Sequence, residues 1–312
     1  GFGVLMQSGA RATLHHVRLS RNRHSGLTAR DKAIVHAADF LVDQTMASAA
    51  SSFGGIGVWL QQGSQVTLAR TRLSGNLAMG IGAADKGTTV TASALLVDGP
   101  EAKIKPLVSP GVMILSGARG VLVGSRLLSC WGVGLTVQGQ GSSLEVTGSL
   151  VERTFRRTGT LKFGLGAVAA QSGSLALVSS ILRKSHSGAV GCDKSQVSVK
   201  GCLLADTQDA TYTRIDAKGV ERDAVLADGL LANGCKDLVI ERTAAVGQTR
   251  AGFLINDCPG ATMTQSYASG GVFGLVTQGD SELDASTNLM RGTGQNRASD
   301  KGLHVPPPPS VL

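Results

Sequence analysis

The chain has 312 residues, a formal net charge of +8 and 42 glycines, with 4% aromatic and 17% charged side chains. The glycines keep no Gly-X-Y triplet, which excludes collagen, and the supply of small and branched apolar residues excludes a disordered chain. No apolar run approaches the roughly 18 residues of a spanning helix, and the basic residues lack the aromatic interleaving of a single-strand binder, so no specific nucleic-acid partner is expected.

From the N-terminus, Gly3 opens a run Val4-Leu5-Met6, followed by the polar corner Gln7-Ser8-Gly9 and then by Ala12-Thr13-Leu14 and Val17-Arg18-Leu19. These are short β-type runs broken by small polar corners. Residue 1 already lies inside such a circuit, so the chain reads as trimmed at its N-terminus. The opening glycine returns as Gly26, Gly57, Gly80, Gly111, Gly134, Gly166, Gly188, Gly229, Gly252 and Gly274, each followed by an apolar residue. Steps of 22 or 23 residues are broken by longer ones of 31, 31, 32 and 41. A circuit of that length is too long for a hairpin and too short for a strand-helix-strand unit. It fits three strands and three turns, one coil of a parallel β-solenoid with like side chains stacked up the axis. The leucine-rich repeat fails for want of Leu-x-x-Leu-x-Leu spacing with a fixed Asn, and the propeller for want of a Trp-Asp signature.

The surplus of each longer step falls after Leu41-Val42, Leu96-Val97, Leu150-Val151 and Leu204-Ala205, which predicts long loops over 43–54, 98–110, 152–164 and 206–223. They should leave one side of the rod at intervals of about 9.6 Å, two rung spacings. Residues 1–292 read as one domain of about 11 coils, and 293–312, with Pro306-Pro307-Pro308-Pro309, as a polar, proline-rich tail.

Three stretches, Gly57-Val58-Trp59-Leu60-Gln61-Gln62-Gly63-Ser64-Gln65-Val66-Thr67-Leu68, Leu73-Ser74-Gly75-Asn76 and Gly87-Thr88-Thr89-Val90-Thr91, carry a resemblance. The chain resembles the right-handed parallel β-helix repeat proteins of bacteria, in particular secreted or surface proteins built from two-coil units. The resemblance covers residues 1–292 and implies an all-β, single-stranded right-handed parallel β-helix. That superfamily includes polysaccharide lyases, epimerases, hydrolases and adhesins.

The residues opening the long loops form an acidic row, Asp43, Asp98, Glu152 and Asp206. Paired carboxylates suit calcium or acid–base work on sugars, and single ones suit turn capping. A basic cluster, Lys103, Lys105, Arg153, Arg156, Arg157 and Lys162, has Phe155, Tyr212 and Arg214 nearby. Together these can fork onto the carboxylates of an acidic glycan and stack on its rings, or form an ordinary solvated loop face. Cys235 and Cys258 each fall six residues after a coil glycine, which stacks them in adjacent coils either as a disulfide or, at the turns Asn233-Gly234-Cys235 and Asn256-Asp257-Cys258, as a reduced ladder. Cys130, Cys192 and Cys202 lack zinc spacing. Neither a clustered-Asp, Gly-His-Gly nor a Ser-His-Asp pattern is present, and no cofactor is implied apart from that calcium option.

The sequence thus supports a non-catalytic secreted or cell-surface solenoid, a rigid scaffold whose long-loop face binds an acidic glycan or another surface protein. The alternative is a polysaccharide-acting enzyme with its cleft on that face, using Asp98, Glu152 or Asp206 with Arg153 or Arg156.

Overall fold

The computed structural model describes residues 1–47, 54–99, 109–156, 163–215, 221–281, 283–284 and 286–299. Among these every regular element is a strand, and no helix is long and apolar enough to cross a membrane. Each circuit as far as Ser269 gives one strand to each of three sheets, and the named pairings within the sheets are parallel apart from one hairpin. Crossovers between parallel strands take the right-handed sense. The chain is a right-handed parallel β-helix.

The second sheet shows why these residues make strands. In Gln65–Ala69 and Thr89–Ser93, Val66, Leu68, Val90 and Ala92 are buried while the alternate residues face outward, the period-2 pattern of a half-buried strand. The first sheet differs because it is buried on both faces. Leu27, Val58, Ile81, Val112 and Leu135 point into the shared core, while Ile56, Met79 and Met113 pack with Trp59 and Leu115 in a second apolar layer. Near-continuous apolar runs are what such doubly covered parallel strands require.

The glycines line up as register partners. Val4↔Leu27, Leu27↔Val58, Ile81↔Val58, Ile81↔Val112, Val112↔Leu135 and Leu135↔Ala167 place Gly3, Gly26, Gly57, Gly80, Gly111, Gly134 and Gly166 in one column. Ala167↔Val190 then puts Ala189, and not Gly188, in that column. Gly188 faces Leu165 below and Asp228 above. The expected glycine is therefore displaced by one, and a methyl group occupies the column.

The corners are closed by side chains. Ser149 and Ser180 accept N–H bonds from Ser125 and Ser149 at 3.0 and 3.1 Å, and their hydroxyls donate to Thr147 and Val178 carbonyls at 2.9 Å. Each hydroxyl thus satisfies a buried amide that the turn would otherwise orphan.

Four expectations need correction. The segment 206–223 is not a plain loop: Ala210–Ile215 pairs antiparallel with the start of Glu221–Asn233, a hairpin that runs straight into the first sheet. Its Thr-Tyr-Thr-Arg-Ile run has the β-branched and aromatic content of a strand. The tail boundary at 292 also moves, since Gln295–Ser299 adds a strand to Phe273–Gln278. The disulfide joins Cys192 to Cys235, with Cα atoms 6.3 Å apart, and leaves Cys258 free and buried. Cys235 and Cys258 do stack at one corner, but that corner repeats the amide-capping ladder. Cys258 Sγ accepts the Cys235 N–H at 3.2 Å, as Ser281 Oγ accepts the Cys258 N–H at 3.0 Å. Cys235 then bonds to Cys192 of the preceding rung. The acidic row is corrected below.

Two tests follow from this packing. A Cβ at Gly80 would meet the Gly111 oxygen at 2.5 Å and Val97 at 2.7 Å, whereas one at Gly124 (φ 57) meets nothing within 4 Å. Gly80→Ala should cost about 1–3 kcal/mol and Gly124→Asn almost nothing, since Asn tolerates the left-handed region. Chemical denaturation midpoints check both, and equal shifts would contradict the close-approach argument. Non-reducing peptide mapping should recover the Cys192–Cys235 link, and its reduction should lower stability by about 2–4 kcal/mol.

Candidate functional site

The third sheet is built from three-residue strands whose middle residue points inward, so two outward columns run up it. Register partners Arg18↔Leu41, Leu41↔Arg72, Leu96↔Arg72, Leu96↔Arg126 and Arg126↔Leu150 make the first column alternate between exposed arginine and half-buried leucine. Arginines recur at every second rung, about 9.6 Å apart. The second outward column carries Ser20, Asp43, Ser74, Asp98, Leu128 and Glu152.

At the N-terminal half of this sheet lies a groove of about 910 Å³ whose lining includes Arg18, Arg21, Arg23, Arg72, Asp43 and Asp98, with Leu41, Leu77 and Met46 as apolar wall. Arg18 Nη2 donates to Asp43 Oδ2 at 2.6 Å, and Arg21 Nε to Gln44 Oε1 at 3.2 Å. Burial pushes the Asp43 carboxyl upward, but hydrogen bonds from Ser20 and Arg18 and the charges of Arg18 and Arg21 outweigh it and hold it below the usual range. The carboxylate therefore stays ionised and engaged. Arg72 and Asp98 stand in the same register relation one two-rung repeat along, and their side chains make no hydrogen bond or ion pair to any of the described residues.

Of the acidic row, Asp43, Asp98 and Glu152 share one outward column. Asp206 does not belong to it, because Arg183↔Ala205 gives Ala205 that place. Asp206 sits one residue on, in a left-handed turn (φ 52), with its amide bonded to the Val246 carbonyl at 2.9 Å. The 54-residue count missed this one-residue slip. Glu152 is held by Arg183 at 3.1 Å and Lys184 at 3.5 Å. Burial raises its pKa, and those two cations more than reverse the effect. Ser74 and Leu128 intervene between the acids, and among the described residues no three His, Cys, Asp or Glu converge as a metal ion would need.

Of the expected basic cluster, Lys103, Lys105, Arg157 and Lys162 lie outside the described residues, as do the side chains of Tyr212 and Arg214. Arg153 and Arg156 are exposed. Phe155 is half-buried and packed between Trp131 and His186, with ring centroids at 5.3 and 6.1 Å. It is a rung of an aromatic ladder. Trp131 Nε1 and His186 Nδ1 are buried without a hydrogen-bond partner among the described residues. Sequence reasoning passed over the arginine column, although 18, 72 and 126 are separated by the same step of 54 as Gly26, Gly80 and Gly134.

No protein-family model and no curated protein matches the chain. Among solved structures, the periplasmic alginate epimerase AlgG is similar at 12% identity and TM-score 0.44, over 96% of this chain and 76% of that one. Pectate lyase Pel9A is similar at 12% identity and TM-score 0.38, over 95% and 72%. The Azotobacter vinelandii mannuronan C-5 epimerase AlgE4 A-module is similar at 9% identity and TM-score 0.33, over 97% and 90%.

The aromatic ladder has a pH signature. Burial first, and the Arg156 charge second, lower the His186 pKa. A histidine with a depressed folded pKa gives its full contribution above its unfolded value of about 6.5 and loses it as pH falls from there through the folded value. The thermal midpoint should therefore drop between about pH 7 and pH 5, and His186→Phe, which keeps a ring beside Phe155, should flatten that drop. An unaltered slope would show that His186 is not the titrating group.

Proposed function

We propose that this protein binds a linear acidic polysaccharide along its third sheet. The arginine column Arg18, Arg72 and Arg126 meets anionic groups, and Leu41, Leu96 and Leu150 lie under the uncharged sugar faces between them. The observation that carries this reading is the alternation itself: cation and apolar surface repeat at a fixed rise on an exposed, elongated face. A guanidinium forks onto a carboxylate or sulfate with two parallel N–H donors.

Magnitudes decide what kind of ligand fits. An exposed ion pair is worth about 0.2–1 kcal/mol, far short of the roughly 4 kcal/mol of even millimolar affinity. A single sugar unit is therefore not held. A polymer engaging several rungs gains by effective concentration, and with charges about 9.6 Å apart, near the Debye length at 0.1 M salt, its binding should be salt-sensitive. The Cys192–Cys235 disulfide suits an oxidising compartment, which supports a secreted or cell-surface location.

The second reading is an enzyme acting on such a polymer. The solved structures of like architecture include an alginate epimerase, a pectate lyase and a glucanase, which side with an enzyme more than with a non-catalytic scaffold. The site itself favours it at one point. Of the three carboxylates named for catalysis, Glu152 is tied to Arg183 and Lys184, and Asp206 lies at a turn outside the outward column. Asp98 alone stands beside an arginine in the groove.

Affinity electrophoresis through a polyuronate gel tests the binding reading. The wild-type protein should be retarded, with retardation lost toward 0.5 M salt, and a uronic acid monosaccharide should not compete. Arg72→Ala with Arg126→Ala should weaken retention by roughly two- to thirtyfold, whereas Arg11→Ala with Arg119→Ala, an equal charge loss on the second sheet, should not. Equal effects of the two sets would contradict the assignment. Release of unsaturated or reducing ends in the same preparation would support the enzymatic reading.

A further inference from the structure

The Arg18–Asp43 pair has a twin that is left open. In both cases the arginine begins a third-sheet strand and the carboxylate ends the strand one rung on: Arg18↔Leu41 with Ser20↔Asp43, and Arg72↔Leu96 with Ser74↔Asp98. The first pair is closed at 2.6 Å. In the second, neither the Arg72 guanidinium nor the Asp98 carboxylate takes a hydrogen-bond or ion-pair partner among the described residues, although both residues line the same groove. The repeat offers the same backbone geometry a third time at Arg126 and Glu152, where the carboxylate is held by Arg183 and Lys184 instead, so Asp98 is the one acid of the three left without a cation among the described residues. A guanidinium and a carboxylate held side by side and unsatisfied present five N–H donors and an acceptor-only group to whatever enters.

We propose that Asp98 is a specificity-determining residue of this groove, which reads a hydroxyl donor beside the anionic group that Arg72 takes. The inference rests on the acidic-polysaccharide reading and narrows it. An ionised carboxylate accepts hydrogen bonds from ring hydroxyls and repels a second anion placed against it. The groove therefore takes units with one acid group and free hydroxyls, the pattern of a polyuronate. It disfavours densely sulfated chains, which set another negative charge where a donor is wanted. Without Asp98 the groove would be a plain arginine patch, and such a patch prefers the ligand of highest charge density. The surrounding cations make this consequential, because Arg18, Arg21 and Arg23 line the same wall and would otherwise favour sulfate.

The test compares retention of the full chain in gels of a homopolymeric polyuronate and of dextran sulfate, at matched charge concentration and salt. Wild type should prefer the polyuronate. The isosteric Asp98→Asn variant should lose part of that preference, the ratio of the two affinities moving toward dextran sulfate by roughly three- to tenfold, the effect of one charged hydrogen bond on a half-exposed site. Asp39→Asn removes the same charge at a corner where the acid pairs with Arg70 at 2.7 Å, and should leave the ratio unmoved. An unchanged melting temperature in Asp98→Asn shows that the fold is kept. If both polymers bind and the ratio is the same in wild type and Asp98→Asn, Asp98 does not set specificity while the binding reading stands. If both substitutions move the ratio equally, bulk charge is responsible and the inference fails. If wild type is retained by neither polymer, the binding reading falls and takes this one with it.

Discussion

The structure depends on how closely successive rungs approach along one line of the first sheet. A Cβ placed on Gly3, Gly57, Gly80, Gly134, Gly166 or Gly229 would come within 2.5–2.6 Å of the carbonyl oxygen of the next rung's column residue. Real side chains do not tolerate such contacts, so the column admits glycine almost throughout. Because the strand period is two, a slip of one residue would turn every inward Val, Leu and Ile of that rung to the other face. Close approach and burial therefore select the same register. Once that is fixed in the first sheet, the short strands of the other two sheets have little freedom left.

Register converts sequence period into surface pattern. The two-rung repeat that returns Gly26, Gly80 and Gly134 also returns Arg18, Arg72 and Arg126, and it sets leucine between them. The carboxylates obey the same rule in the neighbouring column, but their environments diverge. Asp43 is closed by Arg18, Glu152 by cations of the following rung, and Asp98 by neither. Three positions equivalent by repeat thus carry three different electrostatic states, and the functional asymmetry of the face lies there. The disulfide and the Ser/Cys corner ladders hold the rungs from inside and leave this face to its charges.

The solenoid was legible in the sequence because its cause is local and repeated: a glycine, an apolar residue and a polar corner per strand. What escaped reading depended on single-residue offsets. Gly188 precedes the column place that Ala189 fills, and Asp206 follows the row place that Ala205 fills. Both arise in the rungs next to the inserted hairpin, where spacing from glycine to glycine no longer counts rung positions. The disulfide escaped for a different reason. Stacking put Cys258 beside Cys235 correctly, but the Cys258 sulfur is committed to a backbone amide, and sequence spacing holds no record of side-chain orientation. The arginine column shares the 54-residue step of the glycines, but its strands are three residues long, too short for an alternating pattern to stand out.

Hydroxyl-radical footprinting of the full chain, with and without a polyuronate, tests the account most directly. Binding along the arginine column should protect Leu41, Leu96 and Leu150 on the third sheet and leave Val121 and Val123 of the second sheet as reactive as in the free protein. Protection confined to the second sheet, or none on the third while the polymer is demonstrably bound, would contradict it.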